Sequence, residues 1–205
     1  MNEFKKVLIT GHTGQLGSFL TEKCCNDVIT THGLSSSGLV INCATNQLVA
    51  RCNLLHSDEV KQVLSNESYD IVFNLAALTS VGKSWEQPNT ALAINTATVL
   101  NLLEAIKEVS PGTRLFQASS SEAYALTDAT NISENTPFAP ASPYGTSKAA
   151  ASMLVNLYRD KFAIQAVNGV LFANESSRRP EYFVTKKIIK FLVNYSKTRE
   201  GVIEL

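Results

Sequence analysis

The sequence predicts an α/β fold built on a doubly wound parallel sheet, and three observations predict it. Strand-like apolar runs alternate with helical periodicity along most of the 205 residues. Runs such as Ile71-Val72-Phe73-Asn74-Leu75 are almost continuously apolar, as in strands covered on both faces. The first strand also leads directly into a glycine-rich turn and a helix.

Taken in order, strands are expected near 6–10, 27–32, 47–52, 70–75, 113–118 and 164–171. Helices are expected near 15–25, 57–66, 89–109, 143–161 and 181–196. Ser35-Ser36-Ser37-Gly38 and the proline-rich 135–143 stretch read as loops. Gly201-Val202-Ile203-Glu204-Leu205 has a strand-like pattern with nothing after it to pair with. The expected division is a dinucleotide-binding domain over 1–180 and the start of a substrate-binding segment over 181–205, most of that portion being absent.

An apolar fraction of 44% and a formal net charge of zero fit a globular chain with no nucleic-acid partner. No apolar run is long enough to cross a membrane, and the start lacks a signal-peptide pattern, so a cytoplasmic protein is expected. Cys24, Cys25, Cys43 and Cys52 lack CxxC or Cys/His spacing, and His12, His32 and His56 are scattered, so no metal site is expected.

Two stretches carry chemistry. Lys6–Thr10 runs into Gly11-His12-Thr13-Gly14-Gln15-Leu16-Gly17 and then a helix with Leu16, Phe19 and Leu20 on its apolar face. Glycines there permit a tight turn and let the backbone approach a pyrophosphate at the positive end of the helix. The fold is therefore Rossmann-like, and a ligand that carries a pyrophosphate is expected at this loop. The second stretch is Ser142-Pro143-Tyr144-Gly145-Thr146-Ser147-Lys148, with Ser119-Ser120-Ser121-Glu122 upstream. Ser142 suits an N-cap and Pro143 the first helical position, which puts Tyr144 and Lys148 on one helix face. An ammonium beside a phenol favours the phenolate, which suits proton exchange with a substrate hydroxyl. The plain alternative is an exposed Tyr/Lys pair on an ordinary helix.

Other positions leave two readings open. Glu122 is a general base or a solvated loop carboxylate. Asn74-Leu75-Ala76-Ala77 is a cofactor contact or simply a buried strand end. Arg178 and Arg179 bind phosphate, lie at a subunit contact, or form a solvated turn. Asn95, on an apolar helical face, reads as a structural polar group, and Trp85 as a packing anchor.

Gly11/Gly14/Gly17, Asn74–Ala77, Ser119–Glu122 and Tyr144/Lys148 together resemble the extended short-chain dehydrogenase/reductase superfamily. Within it, the chain is similar to the GDP-mannose 4,6-dehydratases. The stretches that carry this are Thr13–Ser18, Phe116–Tyr124 and Ala166–Arg179, the last ending in Glu175-Ser176-Ser177-Arg178-Arg179. The resemblance covers nearly the whole chain from Val7 and continues in the family past Leu205.

The resemblance implies a nucleotide-sugar 4,6-dehydratase that recycles its own cofactor. Tyr144 would deprotonate the sugar O4 hydroxyl, Lys148 would assist Tyr144 and hold the nicotinamide ribose, Ser120 would polarise O4, and Glu122 would remove the C5 proton. It also implies that Gly11, Thr13, Gly14, Gln15, Leu16, Gly17, Asn53, Leu54, Leu75, Ala76, Ala77, Tyr144, Lys148, Asn174 and Arg179 contact the cofactor. That cofactor would be NADP, with NAD as the alternative, and the protein a homo-oligomer.

Several positions depart from the family. No basic residue follows the second strand to hold a 2′-phosphate, and Ser120 stands in place of threonine. Asn53 replaces an aspartate, Ala125 a glycine, and Ala173-Asn174 an Asn-His pair. A reductase or epimerase of the same superfamily, or an inactive dinucleotide-binding protein, are the competing readings. The 205-residue form is expected to fold its core, to self-associate and to show little or no dehydratase activity.

Overall fold

Val7, Leu8 and Ile9 are buried in the first strand, β1 (Lys6–Thr10). They point alternately to two separate cores, as a period of two requires in a sheet covered on both faces. Val7 and Ile9 pack with Cys24, Leu20 and Ile71 on one side. Leu8 joins the larger cluster of Leu102, Leu103, Ile106, Leu115 and Val155 on the other. The computed structural model describes residues 4–203.

The first unit, Met1–Phe172, carries a seven-stranded sheet. Its strands are β1, β2 (Thr30–Leu34), β3 (Leu39–Asn42), β4 (Leu48–Arg51), β5 (Ile71–Asn74), β6 (Arg114–Ser120) and β7 (Ala166–Leu171). They lie in the order β4-β3-β2-β1-β5-β6-β7. From β2 through β7 the neighbouring strands are parallel. The chain builds leftward from β1 and then restarts to its right with β5, which places a crevice at the carboxyl ends of β1 and β5.

The left edge departs from an all-parallel sheet. The unexpected strand β3 is antiparallel to both β2 and β4. Its cause is the Ser35–Gly38 turn, where Gly38 takes φ +74. A turn that short can only reverse the chain, because a parallel return needs a crossover connection of a dozen or more residues. The second strand also starts later than expected, at Thr30 rather than near 27, and the preceding Val28 has φ 59.

Helix α1 (Gln15–Asn26) covers one face, using Gly17, Leu20 and Cys24, while Phe19 of the expected apolar stripe is exposed. On the other face lie α2 (Ser57–Asn66), α5 (Thr98–Val109) and α6 (Pro143–Phe162), which bury Val60, Leu64, Val99, Leu103, Ala151 and Val155. The expected helix over 89–109 is α4 (Pro88–Leu92), one π-turn over Ala93–Ala97, and α5. A short helix that the periodicity did not show, α3 (Val81–Glu86), is capped by Ser80, whose side chain accepts from the Lys83 backbone N–H. Trp85 on it is 64% exposed and anchors no core.

The second unit, Ala173–Leu205, contains α7 (Val184–Thr198), which carries no buried residue. Residues 201–203 of the expected terminal strand adopt no strand structure, and 204–205 lie outside the described residues. Among the described residues, no helix is long and apolar enough to cross a membrane, and no group of His, Cys, Asp or Glu is placed to hold a metal ion.

Candidate active site

Ser142 and Pro143 start α6 as their chemistry suggests. The Ser142 side chain accepts from the Gly145 N–H at 3.0 Å, and Pro143 takes the first turn. This start carries Tyr144 and Lys148 inward rather than to the surface: they are 8% and 4% exposed. That burial removes the reading of a solvated helix pair. The Tyr144 backbone N–H donates to Ser84 Oγ of α3 at 3.1 Å. Ser147 Oγ donates to the Tyr144 carbonyl at 2.7 Å and accepts from Asn95 Nδ2 at 2.9 Å.

Asn95 sits in the π-turn and also bonds both backbone groups of Leu78, accepting at 2.8 Å and donating at 3.1 Å. It is the structural polar group that its place on an apolar face suggests.

Ser120 ends β6 and opens a short 3₁₀ turn, Ser121–Tyr124. Its hydroxyl accepts from the Glu122 backbone N–H at 3.2 Å and hydrogen-bonds the Tyr144 side chain. Ser120, Glu122, Tyr144 and Lys148 are thus brought together, although 28 residues separate Ser120 from Lys148. Burial raises the Tyr144 phenol above its ordinary range, the Ser120 hydrogen bond pulls it down, and the Glu122 charge pushes it up again. Burial therefore outweighs the lowering expected from Lys148. The Lys148 Nζ lies 5.9 Å from the Tyr144 ring centroid and donates to the Ala118 carbonyl at 2.8 Å. Its own pKa is pushed down to about 8 by burial.

The glycine loop occupies the crevice at the end of β1. Gly11 has φ +71, and a β-carbon there would press on the Leu75 and Ala76 backbone. At Gly17 a β-carbon would collide with the backbone of Gly11 and His12, so this glycine lets α1 seat on the loop. Gly14 differs: its β-carbon would meet only the Gly11 carbonyl, at 3.2 Å, and the residue is otherwise open. Helix α1 starts at Gly14 without a side-chain cap and without an acidic residue in its first turn. Its positive end opens at the exposed Gly14, which fits a pyrophosphate.

Thr13 is exposed beside Gly14, and Gln15 and Leu16 are half-buried. Leu75, Ala76 and Ala77 continue β5 alongside this loop, with the Leu75 N–H donating to the Thr10 carbonyl at 3.2 Å.

Asn53 and Leu54 follow β4. The Asn53 carboxamide accepts from the Leu55 N–H at 3.0 Å within its own turn, and Leu54 packs in the larger core. Asn174 and Arg179 belong to the second unit. There Arg179 Nη1 donates to the Asn174 carbonyl at 3.0 Å, and its guanidinium lies 3.9 Å from the Phe183 ring centroid. Sequence reasoning passed over Thr10, Ser84 and Gln117. The available signal was a polar residue inside an apolar strand, clearest at Gln117.

The family model described as GDP-mannose 4,6 dehydratase matches residues 8–205. GDP-mannose 4,6-dehydratase of Vibrio cholerae is 35% identical over 211 residues, covering 96% of this chain and 57% of that protein. GDP-mannose 4,6 dehydratase 2 of Arabidopsis thaliana is 36% identical over 212 residues, covering 92% and 55%. The chain thus spans a little over half the length of these relatives.

Among solved structures, RMD from Pseudomonas aeruginosa complexed with NADPH superposes with a TM-score of 0.79 at 23% identity, over 96% of this chain and 63% of that one. DesIV, a dTDP-glucose 4,6-dehydratase from Streptomyces venezuelae with NAD and TYD bound, gives 0.79 at 20%, over 92% and 62%. At these identities the two structures support the fold. The match of the family model over nearly the whole length decides the rest: this chain belongs to the GDP-mannose 4,6-dehydratase family.

Proposed function

We propose that the chain is the dinucleotide-binding and acid/base part of a nucleotide-sugar 4,6-dehydratase, converting GDP-mannose to GDP-4-keto-6-deoxymannose. The observation that carries this reading is one cluster holding a buried phenol, a hydroxyl bonded to it, and a carboxylate close enough to perturb it: Tyr144, Ser120 and Glu122. A reaction that only moves hydride needs the first two. Elimination of water also needs a base for a carbon acid, and Glu122 supplies one.

The residues fit a nicotinamide dinucleotide. Gly11, Thr13, Gly14, Gln15, Leu16 and Gly17 would hold its pyrophosphate, Asn53 and Leu54 would flank the adenine, and Leu75, Ala76 and Ala77 would line the crevice. Lys148 would hold the nicotinamide ribose. Bound there, a nicotinamide supplies reversible hydride transfer, so no outside reductant is consumed.

Tyr144 would take the proton from the sugar O4 hydroxyl as C4 gives up its hydride to the bound dinucleotide, while Ser120 donates a hydrogen bond to that oxygen as it becomes a carbonyl. The carbonyl acidifies the C5 proton, which Glu122 would remove and pass to the hydroxide leaving C6 as water; return of hydride to C6 and addition at C5 of a proton equivalent to the one Tyr144 took from O4 then complete the 4-keto-6-deoxy sugar. We assign NADP as the cofactor, a cytoplasmic location and a homo-oligomeric state on family grounds.

The test is incubation of the chain, joined to the C-terminal portion of a family member, with GDP-mannose and oxidised dinucleotide, without reductant. Products are read by mass spectrometry, so that even a single turnover counts. Loss of water from the sugar, absent in Tyr144→Phe, is the expected result. Glu122→Gln should instead accumulate reduced dinucleotide and a 4-keto sugar that keeps its C6 hydroxyl. Conversion that requires added reduced cofactor would identify a reductase and overturn the reading.

A further inference from the structure

Three buried polar side chains at the crevice are joined end to end. The Thr10 hydroxyl accepts from the Ala76 N–H at 3.1 Å and donates to Asn74 Oδ1 at 2.5 Å. Asn74 Nδ2 donates to Gln117 Oε1 at 2.6 Å. Gln117 Nε2 donates to the Ala118 carbonyl at 2.9 Å, and Lys148 Nζ donates to that same oxygen at 2.8 Å. Thr10, Asn74 and Gln117 are each at most 1% exposed, so water offers no substitute partner.

Every donor in this chain points toward Ala118. Flipping the Gln117 amide would set its NH₂ against the Asn74 NH₂ and its oxygen against the Ala118 oxygen. Its orientation is therefore forced by its neighbours at both ends. A run of aligned hydrogen bonds also polarises its members in the same sense. The β5–β6 pairing stops at Asn74 opposite Gln117, one residue before Ala118.

We propose that Gln117 is a positioning residue for Lys148: it shares the Ala118 carbonyl with the ammonium as a competing donor, and so keeps Lys148 against β6 without binding it tightly there. The positive end of the Gln117 amide faces the oxygen on which the ammonium rests. This weakens the acceptor and leaves the remaining Lys148 N–H bonds aimed away from β6. Tyr144, on the same helix, is the titratable group beside Lys148, and Glu122, from the turn after β6, acts on Tyr144. The inference takes its functional weight from the role proposed for Lys148, but its test does not depend on turnover.

The measurement is the titration of the Lys148 side chain by NMR of the isotope-labelled full chain. In wild type the midpoint is expected near the pKa of about 8 that burial sets. Gln117→Met keeps the length of the side chain but removes the competing donor. The midpoint should then rise by about one pKa unit, a tenfold tighter hold on the proton. Should that variant not fold, Gln117→Leu serves instead: it also removes the competing donor and adds no charge, so the same rise is expected. An unmoved or lowered midpoint in the folded variant overturns the proposal. Failure of GDP-mannose turnover alone would overturn the reading of function and leave this titration intact.

Discussion

The α-carbon of Gly145 packs directly on the backbone carbonyl of Glu122, and a β-carbon at 145 would lie inside van der Waals contact with that oxygen. Gly145 follows Tyr144, and Glu122 follows Ser120. The absence of a side chain therefore sets the spacing between the two catalytic segments proposed here. Gly145→Ala should push the Ser121–Tyr124 turn away from α6. Local backbone adjustment is expected to leave the chain folded while the Ser120–Tyr144 hydrogen bond is lost. We expect dinucleotide binding within a few-fold of wild type but a loss of sugar dehydration of roughly a hundredfold, the scale on which a displacement of about 1 Å acts. Equal loss of binding and conversion would show that the glycine serves the fold alone.

Lys148 carries a stability cost. Its unfolded value is 10.5, and burial brings the folded value to about 8. Below about pH 8 both states are protonated and the fold bears the full penalty. Between about 8 and 10.5 the folded chain releases its proton first, so this contribution to stability rises with pH. Lys148→Met should therefore be more stable than wild type at pH 7, by up to about 3 kcal/mol. The gain should shrink toward pH 10.5, and denaturant unfolding at several pH values reads it. The same variant should lose dinucleotide affinity, so that stability and binding move in opposite directions.

Two of the loop glycines, Gly14 and Gly17, should separate by phenotype. Gly14→Ala meets only one carbonyl, at 3.2 Å. It should fold normally and lose dinucleotide binding, because the added methyl group stands where a pyrophosphate approaches. Gly17→Ala collides with the backbone of Gly11 and His12, and should lower thermal stability before any ligand is added. Calorimetry with and without dinucleotide distinguishes the two; unchanged affinity in folded Gly14→Ala would move the phosphate site elsewhere.

Much of this was legible in the sequence because it is local. The start of α6 is written in Ser142-Pro143, and the loop at β1 in its glycines. What could not be read depends on where segments meet. Nothing in the periodicity of Leu39–Asn42 distinguishes a strand from a loop; the turn before it, too short for a crossover, decides. The 81–86 helix is short, and its cap is a single serine. Spacing reveals the lysine four residues after Tyr144 but not the burial that raises its phenol. Thr10, Asn74 and Gln117 lie on three different strands, and only their parallel register makes them neighbours.

His32 makes the fold acid-sensitive. It is buried on β2, shares a 2.8 Å hydrogen bond with the Tyr69 hydroxyl, and lies near the Lys6–Glu67 ion pair. Burial lowers its pKa first, the Lys6 charge lowers it further, and Glu67 acts in the opposite sense. The unfolded chain therefore binds a proton near pH 6.5 that the folded chain takes up only at lower pH. Stability should fall as pH drops below about 6.5, and His32→Gln should flatten that part of the profile. An identical slope in the variant would place the acid sensitivity on other groups.

Cofactor choice follows from charge at the end of β2. The Ser35 and Ser37 hydroxyls bond each other at 2.6 Å, and residues 35–38 hold neither an acid nor a base. His12 packs against Gly33 there, and burial lowers its pKa, so it is neutral at pH 7. An acidic residue would accept bonds from the ribose hydroxyls of NAD, and an arginine would neutralise the 2′-phosphate of NADP. With neither present in the turn, the two dinucleotides should bind with affinities that differ by less than about a hundredfold, or roughly 2.7 kcal/mol. NADP should be modestly favoured, because serine hydroxyls can donate to a phosphate. Replacing Ser36 with arginine adds the missing charge and should widen the preference for NADP by about tenfold. Paired calorimetric titrations at one salt concentration decide the matter. A wild-type preference beyond a hundredfold would mean that a cation outside the Ser35–Gly38 turn reads the 2′ position.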